Sequence, residues 1–194
     1  MTGANLAFGV ALLAIVLVVG LCVASMLRPG FEFFPPPSRE CWQRLVFRWL
    51  FRTFFLSLVA LSCIRFELAL EHSGARQLLA LTLGLCGFGA ALHATVTLGW
   101  RSAFGHDGGL VAKGMFRLSR NPVYAASWVG QLGWGLLLPD PRVVLLLALW
   151  AALYLLAPMV EEPWLVSHYG TSYERYRAST PRFFPMRFRR SGSA

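Results

Sequence analysis

The chain has 194 residues, of which 56% are hydrophobic and 14% charged, and its mean hydropathy is +0.55. A soluble domain averages about 45–50% apolar and about 25% charged residues, so most of this chain is dissolved in lipid. The formal net charge of +9 does not argue for nucleic acid, because the basic residues stand beside apolar segments rich in Trp and Phe, where they serve membrane-surface anchoring.

Five apolar segments follow in chain order: Asn5 to Met26, Leu45 to Phe66, Gln77 to Gly99, Pro122 to Leu138 and Arg142 to Met159. The first three exceed the length of about 20 residues that crosses a bilayer, and the fourth lies at the short end of the workable range. The first is read as a retained anchor, since it has no basic n-region and Arg28-Pro29-Gly30 stands where a small-residue cleavage site belongs. Arg44, Arg48 and Arg52 open the second at four-residue spacing, which puts them on one helical face and lets them snorkel toward anionic headgroups. Pro139-Asp140-Pro141 separates the fourth segment from the fifth and can neither continue a helix nor supply its amide donors. The pair either crosses fully or dips in and returns, and both versions bring its two feet to the same side. The expected fold class is all-α: a polytopic membrane protein of five transmembrane helices, with a C-terminal helical hairpin and an amphipathic cytoplasmic tail. Two parts are expected, three N-terminal transmembrane helices over residues 1–97 and a cofactor-binding connection, hairpin and tail over 98–194.

Of the 18 basic residues only Arg65, Arg76 and Arg142 fall on the side opposite the others. That asymmetry is the positive-inside pattern. It predicts an integral protein of the plasma (inner) membrane with its N-terminus outside and its C-terminus in the cytoplasm.

Cys22, Cys41, Cys63 and Cys86 are scattered and show neither zinc-site nor disulfide spacing. His72, His93, His106 and His168 form no ligand pair one helical turn apart. No metal is expected. The connection before the fourth segment is Gly-rich at Gly105, Gly108 and Gly109, but no strand precedes it, so a soluble nucleotide-binding domain is excluded.

The chemistry concentrates in the last third. Asn121 followed by Pro122 is a strong helix start, with the Asn side chain expected to cap free amides. A helix N-terminus at the membrane boundary suits a carboxylate or phosphate. Tyr124 and, one turn later, Trp128 offer aromatic faces to a cation. Glu161 and Glu162 close the fifth segment at the level of Asn121, and adjacent carboxylates near lipid need a cation, for which Arg120, Arg175 and a ligand ammonium all qualify. Tyr169-Gly170 reads as a helix end, and Thr171 with Glu174 as a capping box starting the tail. Tyr173 and Tyr176 in that tail either pack beneath a ligand or anchor in the interface. A zwitterionic amino acid carrying one more positive charge matches such a pocket, and S-adenosyl-L-methionine has a carboxylate, an ammonium and a sulfonium.

The blocks Leu110-Val111, Gly114, Arg120-Asn121-Pro122-Val123-Tyr124, Glu161-Glu162, Tyr169-Gly170-Thr171-Ser172-Tyr173-Glu174-Arg175-Tyr176 and Arg182-Phe183-Phe184-Pro185 resemble, in order and spacing, the membrane methyltransferases typified by isoprenylcysteine carboxyl methyltransferase and phospholipid methyltransferases. The resemblance covers about residues 98 to 185. It implies an S-adenosyl-L-methionine-dependent methyltransferase whose cofactor is lined by Gly108, Gly109, Leu110, Val111, Phe116, Asn121, Pro122, Val123, Tyr124 and Glu161, with Glu162 beside them. Glu161 would bind the ammonium, the start of the fourth helix the carboxylate and the Gly108–Val111 turn the adenosine. No catalytic acid or base is assigned, since nucleophilic displacement at a sulfonium methyl asks mainly for alignment and exclusion of water.

Three departures from the family pattern bear on mechanism. Asn121 stands where His is usual and cannot take up a proton, and Phe116 replaces a Tyr and lacks its hydroxyl. Leu155-Leu156-Ala157-Pro158 occupies the stretch where the isoprenylcysteine enzymes carry a carboxylate-binding Arg. The acceptor is therefore expected to be an uncharged or amine- or thiol-type lipophile arriving from the bilayer. Membrane lipids are the other expected partners, nucleic acid is not, and the oligomeric state is left open. Two other classes compete: an NADPH-dependent membrane reductase of the sterol-reductase kind, and a non-catalytic membrane protein of the same fold.

Overall fold

The computed structural model describes residues 3–28, 30–31, 33–34, 36, 41–71, 74–99 and 109–184. Among these the chain is all helical. The helices are α1 (Gly3–Leu27), α2 (Trp42–Ile64), a short α3 (Glu67–Leu70), α4 (Ala75–Leu98), α5 (Pro122–Leu137), α6 (Pro141–Tyr169) and α7 (Thr171–Ser179), with a 3-10 turn at Gly114–Arg117 between α4 and α5.

Four of these helices, α1, α2, α4 and α6, are long and apolar enough to cross a membrane. The expectation of five transmembrane helices is corrected to four. α5 begins and ends almost where the hydrophobic pattern puts it, but it has 16 residues, a rise of about 24 Å against a hydrocarbon thickness of about 30 Å. What the sequence pattern hid is how α5 is held. Gly133 approaches α4 so closely that an added Cβ would stand 2.3 Å from the Gly84 nitrogen, and one on Gly87 would stand 2.1 Å from the Gly130 nitrogen. Small residues on both helices let the two backbones touch, as membrane helices do where packing alone must hold them.

The fifth apolar segment, expected to end at Met159, continues as α6 to Tyr169 through Pro158 and Pro163. Glu161 and Glu162 therefore lie within a helix and not at its close. Asp140 starts α6 as its N-cap, accepting from the Arg142 amide at 2.8 Å, with Pro141 at the first helical position. The core is shared by Ile15, Val18 and Cys22 of α1, Phe54, Leu58 and Leu61 of α2, and Val143, Leu146 and Trp150 of α6, all buried. Cys22 is thus a packing residue with a free thiol.

The bundle has two polar ends. At one, Asp140 accepts from Arg65 Nε at 2.9 Å and from Arg142 Nη2 at 2.8 Å, Arg142 Nη1 donates to Asn5 at 2.9 Å, and Arg76 donates to the Leu136 carbonyl at 3.1 Å. The three basic residues that the charge count set apart meet at this end. The Asp140 carboxyl, outside the spanning helices, is held down to about 2, chiefly by the hydrogen bond from Arg142. The other end carries Glu161, Glu162 and the tail.

Candidate functional site

The site is assembled by the tail. After α7 the chain turns back at Thr180 and runs beside the start of α5: the Arg120 amide donates to the Pro181 carbonyl at 2.9 Å, and the Arg182 carbonyl accepts from Ser119 Oγ at 3.2 Å and Asn121 Nδ2 at 3.1 Å. Asn121 is the N-cap residue of α5, yet its side chain makes no capping bond. The expected side-chain cap is absent because the amide is spent on the tail. The first-turn amides of α5 thus receive no side-chain partner from their cap.

The two acidic residues have different fates. Glu162 is buried, and both its oxygens are taken by Arg182: Nε donates to Oε1 at 2.9 Å and Nη2 to Oε2 at 2.7 Å. Arg120 Nη1 adds a second cation at 3.4 Å. This is the bidentate geometry in which guanidinium and carboxylate bind most strongly. Glu161 accepts from the Tyr124 hydroxyl at 2.8 Å, and no Lys, Arg or His among the described residues pairs with it. The Tyr124 ring packs on Tyr154, centroids 4.6 Å apart.

Around this pair the tail aromatics close in. Tyr173 is buried, and the Tyr176 hydroxyl donates to the Phe116 carbonyl at 2.6 Å, fixing the 3-10 turn. Burial pushes the Tyr176 hydroxyl up to about 12, so it remains a donor at any physiological pH. Of the two roles open to these tyrosines, the geometry is that of packing. Trp128 donates to the Ala151 carbonyl at 3.2 Å and lies 4.8 Å from the Phe183 ring, so it joins α5 to α6 and to the tail. The helix end at Tyr169–Gly170 is present, with Gly170 at φ 53°, but Gly170 and not Thr171 caps α7, and no side-chain cap forms there.

Gly109 to Val111 lead into the 3-10 turn, and Gly109 holds φ 77°, a left-handed conformation that favours glycine. Gly108, with Arg101 and His106, lies outside the described residues. An apolar cleft of about 320 Å³ lies between α4, the 3-10 turn and α5, lined by Gly87, Met115, Leu118, Pro122, Ala125 and Phe183 among others. Pro122 and Ala125 share the face of α5 turned away from Tyr124, so this cleft and Glu161 are on opposite sides of that helix. A second, more polar cavity borders the clamp itself at Glu162, Arg177 and Arg182.

The clamp was the principal feature that the sequence left unread. The sequence spacing gives Arg182 no role and offers Arg120 and Arg175 as partners of the acidic pair. Arg120 is a partner of Glu162, at the longer distance; Arg175 is exposed on α7.

These features, an acidic pair in the last spanning helix with one member clamped and the other without a cation among the described residues, define a helical integral membrane protein with a built polar site. The family model described as phospholipid methyltransferase matches residues 75–172, and the chain belongs to that family. Comparison with curated proteins and with solved structures gives no match. Membership makes this a membrane methyltransferase in general terms and implies S-adenosyl-L-methionine as the methyl donor.

Proposed function

We propose that the protein transfers the methyl group of S-adenosyl-L-methionine to a neutral or amine- or thiol-type lipophile that reaches the site from the bilayer. The observation that carries this reading is the contrast within the acidic pair. A carboxylate inside an apolar helix costs several kcal/mol unless a cation accompanies it, and among the described residues Glu162 has two arginines while Glu161 has a tyrosine hydroxyl and no cation. The missing cation is the ligand's ammonium.

Tyr124 orients the Glu161 carboxylate by holding Oε1, which leaves Oε2 for the ammonium. The first-turn amides of Val123 and Tyr124, following Pro122, present the positive end of α5 to the ligand carboxylate. The turn of Gly108, Gly109, Leu110 and Val111 takes the adenosine, with Phe116 fixed beside it by Tyr176. Glu162 and Asn121 act by holding Arg182, which seats the tail over the site. When bound, S-adenosyl-L-methionine supplies an electrophilic methyl on sulfonium sulfur. The protein's part is to bind, align the acceptor and exclude water. The functional half is residues 98–194, and the basic end of the bundle, with the C-terminus, faces the cytoplasm of the plasma (inner) membrane.

The acceptor class follows from what the cations do. Leu155, Leu156 and Ala157 offer none, and Arg182 and Arg120 are committed to Glu162. An anionic acceptor entering from lipid would lose its hydration without compensation. Detergent-solubilised protein with labelled S-adenosyl-L-methionine should methylate members of a panel of uncharged lipophilic thiols, amines and phenols and leave a prenylcysteine carboxylate untouched; methyl-ester formation on the prenylcysteine would refute this assignment.

A further inference from the structure

Arg44, Arg48 and Arg52 do not share one fate. Arg44 is buried, whereas Arg48 and Arg52 are exposed on α2. The side chains around them, Leu45, Trp49 and Leu56, are also more than half exposed, so in a membrane this side of α2 meets lipid. Any 18-residue stretch of α2 contains both arginines. Arg52 lies ten residues from Trp42 and twelve from Ile64, about 15 Å and about 18 Å along the axis. Neither arginine forms an ion pair among the described residues. The Arg52 guanidinium lies 5.9 Å from the centroid of the Trp49 ring, a contact that positions the cation without neutralising it.

Two lipid-facing cations one helical turn apart need an anion drawn to them, since bare charge at this depth is expensive. Side chains on a helix tilt toward its N-terminus, here the Trp42 end, and residues four apart share one face, so both stems can extend in that direction. We infer that Arg48 and Arg52 form a binding site for the phosphate of an anionic phospholipid, with its acyl chains lying along Leu45, Trp49 and Leu56. Guanidinium groups suit this ligand because they meet phosphate oxygens with paired donors. The site belongs to α2 and lies outside the part of the chain that resembles the family, so it does not depend on the methyl-transfer reading.

The test is lipid retention by the whole protein, purified in detergent with equal amounts of phosphatidylglycerol and phosphatidylcholine of the same chain length and read by native mass spectrometry. The wild type should retain the anionic lipid preferentially. At roughly fivefold per arginine, Arg48→Gln with Arg52→Gln should cut the preference by up to about thirtyfold. Arg117→Gln with Arg175→Gln, which removes the same charge elsewhere, should leave it intact, and excess inorganic phosphate at fixed ionic strength should not displace the lipid. Should the double glutamine variant fail to fold, Arg48→Lys with Arg52→Lys, which keeps the charge, should keep most of the preference. Equal retention of the two lipids by the wild type, an unchanged preference in the glutamine variant, an equal loss in the Arg117/Arg175 control, or displacement by inorganic phosphate would overturn the assignment.

Discussion

Replacing Arg182 by Gln removes the guanidinium that seats the tail and leaves the buried Glu162 to Arg120 alone. Breaking a fully buried pair costs about 3–5 kcal/mol. Here the Glu162 side chain is 7% exposed but that of Arg182 is 39% exposed, so water already screens one partner, and Arg120 remains at 3.4 Å. The expected loss is therefore about 1–3 kcal/mol. The bonds from Ser119 and Asn121 to the Arg182 carbonyl survive, because they use the backbone. Loosening should consequently begin at the tail, and limited proteolysis after α7 should accelerate before the helices melt. A double-mutant cycle with Glu162→Gln isolates the pair: the two single losses should sum to clearly more than the loss in the double variant. Additive single effects, or a tail equally protected in Arg182→Gln, would refute the clamp.

Three further outcomes are expected. Gly87→Ala or Gly133→Ala should cost at least about 1–3 kcal/mol by driving α4 and α5 apart, whereas Gly89→Ala, which meets nothing within 4 Å, should be neutral or stabilising; thermal unfolding in detergent separates them. The Asp140 carboxyl is lowered in the folded state by Arg142, so its contribution is present above the unfolded carboxylate range, near pH 4, and disappears as pH falls toward about 2; Asp140→Asn should lose that acid-side dependence and be less stable at pH 7. Tyr124→Phe removes the donor to Glu161 and should weaken cofactor binding several-fold, at about 1 kcal/mol for a net hydrogen bond, measured by calorimetry.

Much of the fold was legible because a bilayer enforces simple rules. Run length gave α1, α2 and α4 to within a few residues, and Asn121-Pro122 and Pro139-Asp140-Pro141 marked both ends of α5. The count of crossing helices was not legible, because α5 is short for a bilayer and its attachment to α4 depends on glycines that read locally as mere interruptions; the small residues Ala80, Gly84 and Gly87 in α4 against Gly130 and Gly133 in α5 were the available signal. The end of α6 was missed because Pro158 and Pro163 argue against a helix that lipid and tertiary packing nonetheless maintain. In the candidate site, sequence spacing brought Asn121, Tyr124 and the acidic pair to one level. It gave no means of distributing cations between two adjacent carboxylates, since Arg182 reaches Glu162 only after the tail has folded back.

The central claim is that Glu161 awaits the ammonium of S-adenosyl-L-methionine. Isothermal titration of the purified protein with this ligand should show binding by the wild type and by His168→Ala, an exposed position whose ring stacks on Trp164. Glu161→Gln should lose on the order of 2–4 kcal/mol, roughly thirty-fold or more in affinity. Equal affinities for Glu161→Gln and the wild type would contradict the account.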